Sequence, residues 1–113
     1  MATAQFIHDG DYVDYTPSAD VSAGDVIVQG DLVGVAKGDI EAGRLGAIAV
    51  TGVFDFPKAT GVGSAISAGS IVYWDAGAKE ATTSSGNGAN KELGKTIADA
   101  GDNDSTVRVR LSQ

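Results

Sequence analysis

The sequence predicts an all-β fold, a small pseudo-symmetric β-barrel or sandwich of two similar three-stranded units with an extended N-terminal arm. Three observations carry this. Val and Ile number 19 against 5 Leu plus Met, and β-branched side chains, stiff at χ1, suit a pleated sheet better than a helix. The 16 Gly punctuate the apolar runs every few residues, several in Gly-Asp or Ala-Gly pairs that read as tight turns. Finally, Ser22-Ala23-Gly24-Asp25-Val26-Ile27-Val28 returns 45 positions later as Ser67-Ala68-Gly69-Ser70-Ile71-Val72-Tyr73, each copy a turn entering a strand.

Residues 1–11 hold little that anchors them except Phe6 and Ile7, and they read as the arm. Tyr12 to Thr16 alternates and stops at Pro17. Asp25 to Gln29 places Val26 and Val28 on one face and Ile27 on the other. Strands are predicted next over Asp31–Ala36, Leu45–Phe56, Ser70–Trp74, Leu93–Ala98 and Thr106–Leu111. The last is the cleanest: Val107, Val109 and Leu111 point one way and Thr106, Arg108 and Arg110 the other, as a strand with one buried and one wet face requires. Residues 59–68 and 90–93 contain Gly or lack a sustained helical period, leaving room for one short helical turn. Ala81 to Asn90 is a polar, Gly-containing loop.

The echo continues beyond the first motif. Leu32 to Ala36 is matched by Leu93 to Ala98, and Glu41-Ala42-Gly43 with the strand through Val50 is matched by Asp99-Ala100-Gly101 with the strand through Leu111. One β domain over residues 12–113 therefore contains pseudo-repeats at 22–50 and 67–111, the second lengthened by the polar loop.

With 113 residues the chain is one domain's worth. Its formal charge of −7 opposes a grip on nucleic acid or on anionic lipid, both of which need clustered Lys and Arg. No apolar run approaches a membrane span, and the start lacks the pattern of a secretory signal, so a soluble protein made in a cytoplasm is expected. The absence of Cys removes disulfides, thiolate catalysis and Cys-type metal sites.

Candidate chemistry is thin. The one His, His8 beside Asp9, lies in the arm, a poor place for a base that must be held against two partners. Asp9 and Asp11 read as solvated acids rather than an acid/base pair. Asp99 to Asp104 is rich in oxygen ligands but matches no EF-hand loop, and Gly61-Val62-Gly63 lacks the rest of a nucleotide fingerprint. No catalytic, cofactor or metal residue is assigned. Tyr73-Trp74 places two large aromatics on opposite faces of one strand, and such residues are enriched at interfaces.

The Phe6-Ile7-x-Asp9-Gly10-Asp11 start, the Gly24-Asp25-Val26 turn and Gly30-Asp31-Leu32-Val33-Gly34-Val35-Ala36 carry a resemblance. So do Gly52-Val53-Phe54-x-Phe56-Pro57-Lys58, Val72-Tyr73-Trp74-Asp75 and the terminal Thr106 to Leu111. Together, over nearly the whole chain, they resemble the tailed-phage and prophage capsid decoration proteins, also called cement proteins. The resemblance implies a non-enzymatic all-β protein of the virion that binds the outer surface of an assembled head as a homotrimer and holds neighbouring major capsid protein subunits together. It brings no catalytic residues and no cofactor. An acidic protein suits the outside of a DNA-filled shell.

Two hypotheses about residues follow. Ala2, Thr3, Ala4, Gln5, Phe6 and Ile7 form a capsid-binding arm that pairs as an added strand, and Phe54, Phe56, Tyr73 and Trp74 mark self-association surfaces. Rival readings are a lipoyl or biotinyl-like carrier domain, which needs Lys58 exposed at a hairpin tip, and a carbohydrate-binding β-module stacking sugars on Trp74 and Tyr73. A small hydrolase comes last, for want of a positioned base.

Overall fold

The apolar alternation of the chain resolves into nine strands and no α-helix among the described residues, which in this computed structural model are 3–7 and 9–112. They are β1 (Tyr12–Tyr15), β2 (Val26–Gln29), β3 (Leu32–Ala36), β4 (Gly46–Ala49), β5 (Gly52–Pro57), β6 (Ile71–Asp75), β7 (Glu80–Thr82), β8 (Lys91–Thr96) and β9 (Thr106–Leu111). They form two antiparallel sheets packed as a sandwich, one in the order β1-β4-β3-β2 and one in the order β5-β9-β8-β6-β7. The larger sheet curls until its two edges meet at a bridge between Lys58 and Ala81.

Four expectations are corrected here. The expected strand over 45–56 is two strands in different sheets: β4 pairs with β1 and β3, whereas β5 pairs with β9. The break falls at Val50-Thr51, and β5 opens on Gly52, whose φ of +123° is a conformation that residues with a Cβ avoid. With β1, β5 and β7 counted, the sheets have four and five strands rather than three each. The start of the expected polar loop also forms β7, and its only helical turn is a 3₁₀ turn at Gly86–Gly88 rather than at 59–68 or 90–93.

Backbone hydrogen bonds recur between the two halves. Val21 and Ile40 exchange both bonds at 2.8 Å, and Ile66 and Ala100 do so at 2.9 and 2.8 Å. The Ala23 N–H donates to the Asp39 carboxylate at 2.9 Å, as the Ala68 N–H does to Asp99 at 2.7 Å. The Gly24 N–H donates to the Ala36 carbonyl and the Gly69 N–H to that of Thr96. These bonds set Val33-Gly34 against Leu93-Gly94 and Asp39-Ile40 against Asp99-Ala100. The sequence echo had matched Leu32 with Leu93 and Glu41 with Asp99. Backbone pairing sets register, and residue identity in an Ala/Gly/Val-rich chain slides past it.

The main core lies between the sheets. Val33 and Val35 of β3 meet Phe56, Val72, Trp74, Leu93, Val107, Val109 and Leu111 of the larger sheet. A second cluster of Val21, Ala36, Ile40, Ile48 and Val50 packs with Val13, Tyr15 and Ile27. Because β3 contributes to both clusters, its sequence Leu-Val-Gly-Val-Ala is apolar throughout instead of alternating.

Candidate interaction surfaces

Residues 3–7 have no regular structure and lie exposed, with Phe6 at 79 % and Ile7 at 73 %. The chain is tied down at Asp11. Its carbonyl accepts from the Val50 N–H at 2.9 Å and its carboxylate from the Thr51 hydroxyl at 3.0 Å, just before β1 joins β4. Thr3, Ala4, Gln5, Phe6 and Ile7 form one exposed stretch ahead of that anchor, while Ala2 and His8 lie outside the described residues.

The four aromatic positions do not share a surface. Phe56 is 1 % and Trp74 7 % exposed, their rings 6.0 Å apart, with Phe54 edge-on to Phe56 at 6.2 Å. Phe56 and Trp74 are core residues, which corrects their assignment to a self-association surface. Only Tyr73 faces outward, half-buried, paired with Thr82 and Glu92. A sugar platform on Trp74 is also corrected, because stacking needs an accessible ring face. An open groove of about 320 Å³ runs past Val26, Val28, Trp74 and Lys79, but it meets little of that ring.

Lys58 overturns the requirement of the carrier reading. It is 5 % exposed, and its ammonium donates to the carbonyls of Ala59 at 2.7 Å, Gly101 at 2.9 Å and Asp104 at 2.9 Å. All three N–H donors are used within the protein, and an acyl-carrying tip is not available there.

The Asp99–Asp104 carboxylates are likewise occupied in holding turns. Asp99 accepts from the Ala68 N–H, Asp102 from the Ala65 N–H at 2.8 Å, and Asp104 from the Gly101 N–H at 2.8 Å. No group of acids or His placed to hold a metal occurs among the described residues.

The outer face of the larger sheet carries a mixed patch that sequence reasoning missed. Strand register lines up Val53, Arg110, Lys95 and Ile71 in one cross-strand row, and Asp55, Arg108 and Ile97 in the next. Val53, Ile71 and Ile97 are 53 %, 44 % and 49 % exposed. The signal was present in the alternation of β9, whose outward positions are Thr and two Arg, but the partners of those Arg depend on register. The Arg108 guanidinium donates twice to the Asp55 carboxylate, at 2.9 and 3.2 Å, and this holds the Asp55 carboxyl below its ordinary pKa. A depressed carboxyl pKa adds stability that is present at neutral pH and lost as the pH falls through it. The pair is solvent-exposed and therefore weak. We expect Asp55→Asn to lower the urea midpoint only slightly at pH 7, and the gap from wild type to close as the pH drops below the carboxylate range.

No helix among the described residues is long and apolar enough to cross a membrane. No curated protein and no solved structure matches the chain. A family profile described as phage cement protein matches residues 7–111, and so spans both sheets from the end of the exposed N-terminal stretch to the last residue of β9. The chain belongs to the phage cement protein family.

Proposed function

We propose that this protein binds the outer surface of an assembled phage or prophage head as a homotrimer, after synthesis in the host cytoplasm, and holds neighbouring major capsid protein subunits together. The family match over residues 7–111 carries this reading, since the family's role is structural and capsid-stabilising rather than enzymatic. The charge of −7 supports placement outside a DNA-filled shell. The mechanism is mass action. A ligand that binds only the expanded lattice stabilises that state by about 2.7 kcal/mol per site at a free concentration 100 times its Kd.

The exposed Phe6 and Ile7 make residues 2–7 the element that orders on the shell, adding a strand to an open sheet edge of the capsid subunit. The test is co-sedimentation with expanded, undecorated capsids together with the temperature at which those capsids disrupt. Wild type is expected to pellet and to raise that temperature. A chain lacking residues 2–7 is expected to bind at least about tenfold more weakly, read as a drop in occupancy at a free concentration near the wild-type Kd, as the removal of two apolar anchors implies. Unchanged occupancy would remove the arm from the mechanism, and failure of the wild-type chain to pellet would remove the capsid reading itself.

A further inference from the structure

Charge in this chain is divided unevenly along the sequence. Residues 1–41 hold eight carboxylates (Asp9, Asp11, Asp14, Asp20, Asp25, Asp31, Asp39 and Glu41) against Lys37 alone. Residues 42–113 hold seven carboxylates and seven Lys or Arg, so the entire −7 resides in the first 41 residues. In the second part, three of the cations, Lys95, Arg108 and Arg110, sit on one sheet face, interleaved with the exposed Val53, Ile71 and Ile97. Asp55, Asp75, Glu80 and Glu92 are the acids of that face, and Asp55 is engaged by Arg108. Asp75, which accepts from the Gly77 and Ala78 N–H groups, pairs with Glu80 at the β6–β7 end of the sheet, away from the row of Arg110 and Lys95. Among the described residues neither Lys95 nor Arg110 forms an ion pair.

Most carboxylates of the acidic half are committed locally. Asp20, Asp25 and Asp39 accept from backbone N–H groups at turns, and Asp31 pairs with Lys91 at 2.9 Å. Asp14 is different. It shares the exposed side of the edge strand β1 with Tyr12, itself 43 % exposed, and the Lys37 ammonium lies over the Tyr12 ring and donates to its hydroxyl. Tyr12 and Asp14 therefore form an aromatic and acidic strip with Lys37 at its Tyr12 end, and the Asp14 carboxylate is the part of it complementary to the apolar and basic row Val53-Arg110-Lys95-Ile71.

We infer that copies of this chain associate head to tail, the outer row Val53-Arg110-Lys95-Ile71 of one copy docking against the Tyr12/Asp14 edge of the next. This rests on the self-association proposed above and names its surfaces. A second copy is the occupant that the charge distribution selects, because the acidic complement is carried by the same molecule. Face-to-face pairing of two such rows would set Lys95 and Arg110 against their own copies, which like-charge repulsion opposes. A heterologous contact of this kind closes into a ring when its rotation allows.

The experiment is sedimentation velocity on the full chain, with capsid binding followed separately. Wild type is expected to associate in a concentration-dependent way, weakening about tenfold or more between low and high salt as exposed charges are screened. The double variant Lys95→Glu/Arg110→Glu and the single variant Asp14→Lys are each expected to weaken association about 100-fold, the scale of like-charge juxtaposition at an interface. Mixing the two variants is expected to restore association, since each then offers the complement of the other; circular dichroism confirms that both are folded. Wild type that remains monomeric, or association that survives Asp14→Lys, overturns the inference. Capsid co-sedimentation keeps the two readings apart: a monomeric wild type that still pellets with capsids removes only the head-to-tail contact, whereas an associating protein that does not pellet removes only the capsid reading.

Discussion

Gly94→Ala is expected to give a protein that fails to fold or loses about 4 kcal/mol or more, the exceptional end of single-substitution effects. A Cβ built at Gly94 lies 2.1 Å from the Arg110 carbonyl oxygen of β9 and 2.9 Å from the nitrogen of Ser112 just beyond it, both backbone atoms. Neither moves without breaking the β8–β9 ladder. The crowding arises because the β6–β8 register slips between Val72 and Tyr73: Val72 faces Gly94, Tyr73 faces Glu92, and Leu93 is the extra residue. That bulge delivers Leu93, fully buried, into the main core, while its carbonyl accepts from the Ser112 N–H at 2.9 Å. Gly38→Ala is the matched control, since nothing lies within 4 Å of its added methyl group, and its midpoint should stay within about 0.5 kcal/mol of wild type. Urea unfolding of the two variants decides the matter. Equal midpoints would mean that the strand pair yields more readily than its packing implies.

Lys58→Met is expected to cost about 3 kcal/mol, although Met fills nearly the same volume. The loss is electrostatic and polar. Removing the ammonium leaves the carbonyls of Ala59, Gly101 and Asp104 without the donor that gathers them at 2.7 to 2.9 Å in a buried site. The same ammonium ties the end of β5 to the turn before β9, where the Lys58 N–H also bonds the Ser105 carbonyl at 2.9 Å. Hydrogen exchange should therefore show reduced protection at Asp104 and Gly61, whose N–H groups bond within this turn region, while the Val21–Ile40 pair in the other sheet is unaffected. Uniform loss of protection would indicate global destabilisation without a local role for the Lys58 clamp.

Some of this organisation was legible along the chain. The alternation of β9 held at every position, because a strand with one face in the core and one in water must carry it. The turns at Gly24 and Gly69 were readable from their recurring Ser-Ala-Gly motif, as both take positive φ. The break inside 45–56 was not readable, because Ile48 and Phe56 are both core residues and the apolar pattern runs on through a change of sheet. Lys58 read as a potential surface group, since nothing local announces that three carbonyls from two loops will surround it.

The sequence by itself determined that the chain is all-β, that the β9 strand is half-buried, that thiol chemistry is absent, and that the motifs of the cement family are present in order. Those properties live in composition, period two and local turn chemistry, which act over a few residues. Tertiary structure alone decided that Trp74 turns inward and Tyr73 outward, that Lys58 is a clamp, and that Lys95 and Arg110 stand in one row with Val53 and Ile71. Each of these depends on cross-strand register between segments far apart in the chain, and register is set by backbone hydrogen bonds and core packing that a linear pattern does not encode.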